Sequence, residues 1–330
     1  MSSNLYWAEF ADKVITSLVR PEPGDPLLIV VDTGNDMNLA QACLAAGLRA
    51  GADTQLIVKQ RLPHGVASTP GPILSDAIRA SRLILALCGG ITRAPATIEA
   101  MKKGTRILAS PGINEKGIEE YVIRALLDVD VEAMNRNGEL VAKLWDQTEV
   151  CRITSPEGTD VNFRIAPLKS VVDDGVLAED GEMDFFPGTQ VSLLSMGETV
   201  NGTIVVDASD SVQGLVHTPY SLTIENGVIT SVDGGMEADV LREWLATRND
   251  DRIYKMWHAS IGLNPQAGIT GNMIEDERKV AALDFGFGDY EVCPYHMDVM
   301  LATPTVYLDG KPMSGDGQLN PELGFEDMGR

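Results

Sequence analysis

The chain is short of several things, and each shortage excludes something. It has four cysteines, Cys43, Cys88, Cys151 and Cys293, with no C-x-x-C pair among them. That excludes a disulfide framework and a thiolate zinc site, and suits the reduced, buried thiols of a cytoplasmic protein. Basic residues are few: 26 Lys and Arg stand against 48 Asp and Glu, for a net charge of −22, and no more than two basic residues are ever adjacent. A surface of that sign repels nucleic acid and anionic membranes, so neither is expected as a partner. The longest apolar runs, such as residues 83–88, are of strand length and fall well below the roughly 20 residues that cross a bilayer. Residues 1–10 carry neither the basic nor the apolar region of a secretory signal. No G-x-G-x-x-G or Walker loop follows any strand-like run, so a nucleotide is not indicated.

Apolar residues are not short. They make up 44% of 330 residues, enough for sizeable cores, and the length favours two domains. Residues 1–148 alternate helix-like and strand-like pieces. An amphipathic helix over 5–20 ends at Pro21-Glu22-Pro23-Gly24. Strands are expected at 27–31, 55–58, 82–88 and 105–109, and helices at 36–50, 72–80, 95–103, 114–127 and 129–146, with a Pro/Gly-rich loop over 62–72. This alternation predicts an α/β N-terminal domain with a parallel sheet. The strand ends at Asp32-Thr33-Gly34-Asn35 and Cys88-Gly89-Gly90 would face the crevice where such sheets bind ligands.

Residues 149–330 read differently. Short β-type runs at 150–155, 161–165, 191–195, 203–206, 222–225 and 228–232 are separated by Gly, Asn, Asp and Pro. Asn226-Gly227 marks a hairpin turn, and one helix is expected at 236–248. The prediction is a β-rich α+β C-terminal metal-binding domain.

Histidine is rare here, with four in the chain. His64 falls in the Pro/Gly loop and reads as exposed, and His217, between Val216 and Thr218, reads as structural. The other two lie near glycine-rich loops. In His296-Met297-Asp298 the period of two on an extended backbone points the imidazole and the carboxylate the same way. His258 comes at the end of a β-like run over 252–257 and leads into Gly262-Leu263-Asn264-Pro265. Two histidines and a carboxylate form the set that holds Fe(II) with positions left open. Hydrogen-bonded structural histidines meet the same spacing, and spacing does not choose between them.

The second half as a whole resembles the aminopeptidase T-like metalloprotein family. The resemblance runs in order through Thr154-Ser155-Pro156-Glu157-Gly158-Thr159-Asp160, Phe186-Pro187-Gly188-Thr189-Gln190-Val191, Val200-Asn201-Gly202-Thr203, Asn226-Gly227-Val228-Ile229, Ile261-Gly262-Leu263-Asn264-Pro265 and His296-Met297-Asp298. It extends more faintly to Ile91-Thr92-Arg93-Ala94. It implies a metal-dependent, homo-oligomeric enzyme. Peptidase members hold two metal ions; here one ligand glutamate falls at Gln190, another near His258, and a ligand histidine at Asp284. Gln190 offers no anionic oxygen, so one metal fits better than two.

The altered set is similar to that of the ring-cleaving relatives, the 2,5-dihydroxypyridine 5,6-dioxygenases, and implies one Fe(II) per chain on His258, His296 and Asp298, with a small-molecule substrate and O2. The histidine expected in the first domain is replaced by Thr92-Arg93. A metal-dependent hydrolase using Zn or Mn, with Asp284 or Glu275 as catalytic base, is the alternative, and a binding protein that has lost its metal is the third. Arg93, Glu198, Asn264 and Tyr295 are the candidates for substrate contact, Arg93 because a guanidinium at the crevice edge pairs with a carboxylate or phenolate oxygen.

Overall fold

The computed structural model describes residues 3–61, 70–113, 118–289 and 292–329. Its contacts divide the chain into two compact units. One is Met1–Asp128 with Asp174–Gly188, the other Val129–Asp173 with Thr189–Arg330.

The first unit is built on a five-stranded, all-parallel sheet in the order Asp53–Lys59, Pro26–Asp32, Leu83–Ala86, Arg106–Ala109, Met183–Phe185. Its central strands are continuously apolar because both faces are covered; Leu27, Ile29, Val31, Leu83, Leu85 and Leu108 are all buried. The helices begin where local chemistry supplies a start. Asp36 caps Met37–Arg49 by accepting the Asn38 N–H, and Pro72 and Pro95 open Pro72–Ala80 and Pro95–Met101, where a missing N–H costs nothing. The first helix, Ser3–Lys13, widens into a π-helical stretch over Val14–Val19 and stops at Arg20 in the left-handed region, just before Pro21. Ile118–Leu127 is the described part of the helix expected over 114–127; residues 114–117, like His64 and most of the 62–72 loop, lie outside the described residues.

The second unit holds two antiparallel sheets. The larger runs Val228–Asp233, Tyr220–Glu225, Asn201–Val206, Asp160–Arg164, Val150–Thr154, Thr305–Leu308, Lys311–Gly315, Gln318–Leu319. The other runs Gly214–Leu215, Ser209–Asp210, Met297–Leu301, Leu283–Phe287, Met256–Gly262, Gln190–Leu194, Ser170–Asp173. Side chains from both share one core, among them Val161, Phe163 and Ile204 from the first sheet and Leu193, Ile261, Phe285 and Val299 from the second. Asn226 and Gly227 both have positive φ and close a two-residue hairpin between Glu225 and Val228.

Two placements differ from the sequence reading. The division expected at 148/149 does not follow the contacts: Val131–Asp146 groups with the second unit because its buried face, including Met134, Val141 and Trp145, enters that core. Met183–Phe185, in the expected second domain, forms the last strand of the first unit's sheet. All four cysteines are free and buried, and burial pushes the Cys43 and Cys88 thiols up to about 12. Among the described residues no helix is long and apolar enough to cross a membrane.

Asp130 caps Val131–Asp146, accepting the Ala133 N–H at 2.9 Å. Asp130→Ala is expected to lower stability by about 1 kcal/mol, read from urea denaturation followed by tryptophan fluorescence. An unchanged midpoint would show that the cap contributes nothing.

Candidate metal centre

The site is laid out by the period of two along four neighbouring strands of the seven-stranded sheet. Val191, Leu193, Ala259, Ile261, Leu283, Phe285, Val299 and Leu301 point into the core. Most of their alternates are polar or lack a side chain, namely Gln190, Ser192, His258, Ser260, Asp284, Gly286 and Asp298, with Leu194 and Met300 the apolar exceptions. Register then aligns them. His258 is paired with Gly286, and Gly286 with Asp298; Ser192 is paired with Ser260, and Ser260 with Asp284. His258 is thus inside the strand Met256–Gly262. The expected β-run over 252–257 is instead a 3-10 turn, Asp251–Tyr254, followed by the strand, whose register shifts between Met256 and His258.

His258 and Asp298 sit on strands that are not neighbours, with Gly286 between them. The imidazole crosses that gap by lying over the glycine: a Cβ at 286 would be 2.0 Å from His258 Nε2. Across the gap, His258 Nε2 comes within 3.3 Å of His296 Nε2 and 3.4 Å of Asp298 Oδ1, and His296 Nε2 lies 2.7 Å from the same oxygen. The two rings stack with centroids 5.3 Å apart. His296 Nδ1 is 2.7 Å from the Gly288 carbonyl, which only accepts, so Nδ1 carries a proton and Nε2 is the nitrogen turned to the cluster. Gly288 is needed there: its φ is +85°, and a Cβ would meet the Tyr295 carbonyl at 2.3 Å.

One atom each from His258, His296 and Asp298 therefore falls within 4.8 Å of the other two. Borderline imidazole nitrogens and an anionic oxygen, with one histidine already holding its Nδ1 proton away from the cluster, fit a divalent metal.

Around this set lie groups the sequence reading missed. Ser260 Oγ is 3.0 Å from His258 Nδ1 and 2.9 Å from Ser192 Oγ. The buried Arg278 guanidinium donates to Gln190 Oε1 and pairs with Glu277 at 2.7 Å. Gly286 had a visible signal, a glycine between two phenylalanines in a strand run, which marks close approach of another group. Glu277 and Arg278 had none.

The remaining candidates go different ways. Asp284 is fully buried with Oδ2 3.4 Å from His258 Nδ1, and among the described residues neither of its oxygens has a hydrogen-bond partner. Glu275 is buried and accepts the Gly268 N–H at 3.0 Å, tying down the loop after Asn264. Asn264, also buried, accepts the Gln266 N–H within that loop. Tyr295 stacks on the Arg248 guanidinium, which lies 5.2 Å from its ring centroid. Glu198 is exposed in the 3-10 turn Gly197–Thr199. Arg93 is exposed in the turn after Leu83–Ala86, in the first unit. His217, read from sequence as structural, is exposed on a bend.

The acidic groups respond to one another. Burial resists ionisation of Asp298, but the His296 charge and hydrogen bonds from both imidazoles outweigh it and hold this carboxyl well below the usual range. Asp284 goes the other way: burial, then the charges of Asp298 and Glu277, push it well above its usual value, with Arg278 offsetting part. Burial also raises Glu277, against Arg278.

Two outcomes follow from this geometry. Gly286→Ala places a methyl group where the His258 ring lies, so the variant should fold yet bind Co²⁺ at least about tenfold more weakly; wild-type affinity would contradict the placement. Asp284 binds its proton more tightly folded than unfolded, so it lowers stability progressively as pH rises above about 4. In metal-free protein, Asp284→Asn should therefore melt above wild type near pH 8, with the gap closing towards about pH 5. A gap independent of pH would show that ionisation of Asp284 is not its source.

The family profile described as 2,5-dihydroxypyridine 5,6-dioxygenase matches residues 7–321. A 2,5-dihydroxypyridine 5,6-dioxygenase of Pseudomonas putida is 26% identical over 246 residues, 68% of each chain. The solved 2,5-dihydroxypyridine dioxygenase from the same species superposes with a TM-score of 0.82 at 22% identity, over 97% of this chain and 98% of that one. Wild-type AmpT from Thermus thermophilus does so with 0.68 at 17%, over 96% and 100%. The two structures establish a shared aminopeptidase T-like fold, and with the profile spanning nearly its whole length the chain belongs to the 2,5-dihydroxypyridine 5,6-dioxygenase family.

Proposed function

We propose that this protein is a mononuclear non-haem Fe(II) dioxygenase that opens the ring of a small hydroxylated N-heterocycle such as a dihydroxypyridine, with His258, His296 and Asp298 as the protein's ligands. The observation that carries the reading is the convergence of those three donors, with the His296 Nδ1 proton held on the Gly288 carbonyl and Nε2 turned inward. Two imidazoles and one carboxylate on one side of a metal leave its other positions open. Fe(II), when bound, supplies a centre that holds an electron-rich ring and O2 together. Ring-cleaving dioxygenation puts both oxygen atoms into the product as a ring carbon–carbon bond breaks, so no external reductant is required.

The chain's own residues have simpler tasks. The Gly288 carbonyl keeps the proton on His296 Nδ1, and Ser260 meets His258 Nδ1 on the side away from the cluster. Arg278, tied to Gln190 and Glu277, places positive charge against the surrounding carboxylates without entering the ligand set.

Anaerobically purified protein is expected to contain about one iron per chain and to consume O2 when given 2,5-dihydroxypyridine or a ring of that class. His258→Ala should lose both the iron and the oxygen uptake. Full turnover after iron is chelated away, or in the absence of O2, would overturn the proposal.

A further inference from the structure

We propose that Asp284 is a positioning residue, one of whose carboxyl oxygens accepts the Nδ1–H of His258 when a cation occupies the Nε2 side of that ring. The inference rests on the ligand reading above and adds the group that fixes how His258 is presented.

The His258 imidazole stands between two sets of groups. Nε2 faces His296 at 3.3 Å and Asp298 at 3.4 Å; Nδ1 faces Ser260 at 3.0 Å and Asp284 Oδ2 at 3.4 Å. The ring nitrogens point to opposite sides, so Asp284 is screened by the imidazole from the other two donors and is not a further ligand beside them. A cation on Nε2 uses that lone pair and leaves the proton on Nδ1, which then needs an acceptor.

Two groups are in reach. Ser260 is one, and its hydroxyl also meets Ser192 at 2.9 Å, so accepting from His258 leaves its own proton for Ser192. Asp284 is the other. It is fully buried and both of its oxygens lack a hydrogen-bond partner among the described residues, an arrangement that is costly unless some state of the protein satisfies it. At 3.4 Å the pair is a few tenths of an ångström longer than an ordinary N–H···O bond, within reach of a small rotation of the His258 ring. A carboxyl oxygen accepts whether or not the group is ionised, so the assignment does not depend on its charge. Register explains the location: Asp284 lies directly across from Ser260, two residues before the Gly286 that His258 covers.

The test is Co²⁺ titration of the full-length metal-free protein, followed by visible absorption. Asp284→Leu should bind about 10–100-fold more weakly than wild type, while Asp284→Asn, which keeps an acceptor oxygen, should stay within about fivefold. A second readout is spectroscopic. The proton spectrum of Co²⁺-loaded wild type should show two slowly exchanging, hyperfine-shifted imidazole N–H signals, from His296 against Gly288 and from His258 against Asp284. Only the second should move in Asp284→Asn. Wild-type affinity in Asp284→Leu, an Asn variant no better than Leu, or a His258 N–H that exchanges freely would each overturn the role of Asp284. A wild-type protein that binds no Co²⁺ would overturn the ligand reading itself.

Discussion

The candidate metal centre depends on a side chain that is missing. Neighbouring strands lie about 4.8 Å apart, so the backbones of His258 and Asp298, with one strand between them, are separated by about twice that distance. No imidazole reaches a carboxylate across such a gap unless it can lie flat over the middle strand, and Gly286 is what lets it do so. The rest follows from that crossing. With Nε2 carried to the far side, Nδ1 is left over the row of Ser192, Ser260 and Asp284, and the His258 ring comes to lie against that of His296. A second glycine, Gly288, completes the arrangement by bringing a backbone carbonyl to the other imidazole.

The same sheet serves two purposes through its alternation. One face contributes Leu193, Ile261, Phe285 and Val299 to a core shared with a second sheet, and that rigid packing fixes the strand register on which the site depends. The other face gathers carboxyl groups that disfavour one another's charge: Asp298 ionises readily beside two imidazoles, while Asp284 is held back by burial and by Asp298 itself. A divalent ion held by the His258, His296 and Asp298 atoms would add positive charge to this face. Such binding would be coupled to stability, as for any ligand that binds only the folded state.

Much of the first unit could be read from the chain. Its strands are apolar runs, its helices begin at Asp36, Pro72 and Pro95, and period-two spacing placed His296 and Asp298 on one side. What was not legible depends on pairings between distant segments. Nothing near His258 in sequence announces that Gly286 will lie beneath it, and nothing near Met183–Phe185 announces a place in a sheet begun at Pro26. Carboxylates were equally opaque. Glu275 and Asp284 look alike as acidic residues of the last quarter, yet one fastens a loop through the Gly268 N–H and the other faces a histidine. Tyr295 stood next to a candidate ligand in sequence, but its ring stacks on Arg248.

The late strand Met183–Phe185 has a consequence for how the protein is made. The polypeptide leaves the first unit after Asp128, returns for Asp174–Gly188, and leaves again, so neither unit is one continuous stretch of chain. During synthesis the parallel sheet begun at Pro26 lacks its edge strand until residue 185 has emerged, by which time the first strands of the other unit have also been made. The two units are therefore interleaved in time as well as in sequence. A gene fragment that stops anywhere between them encodes an open sheet edge, a ready template for unwanted pairing.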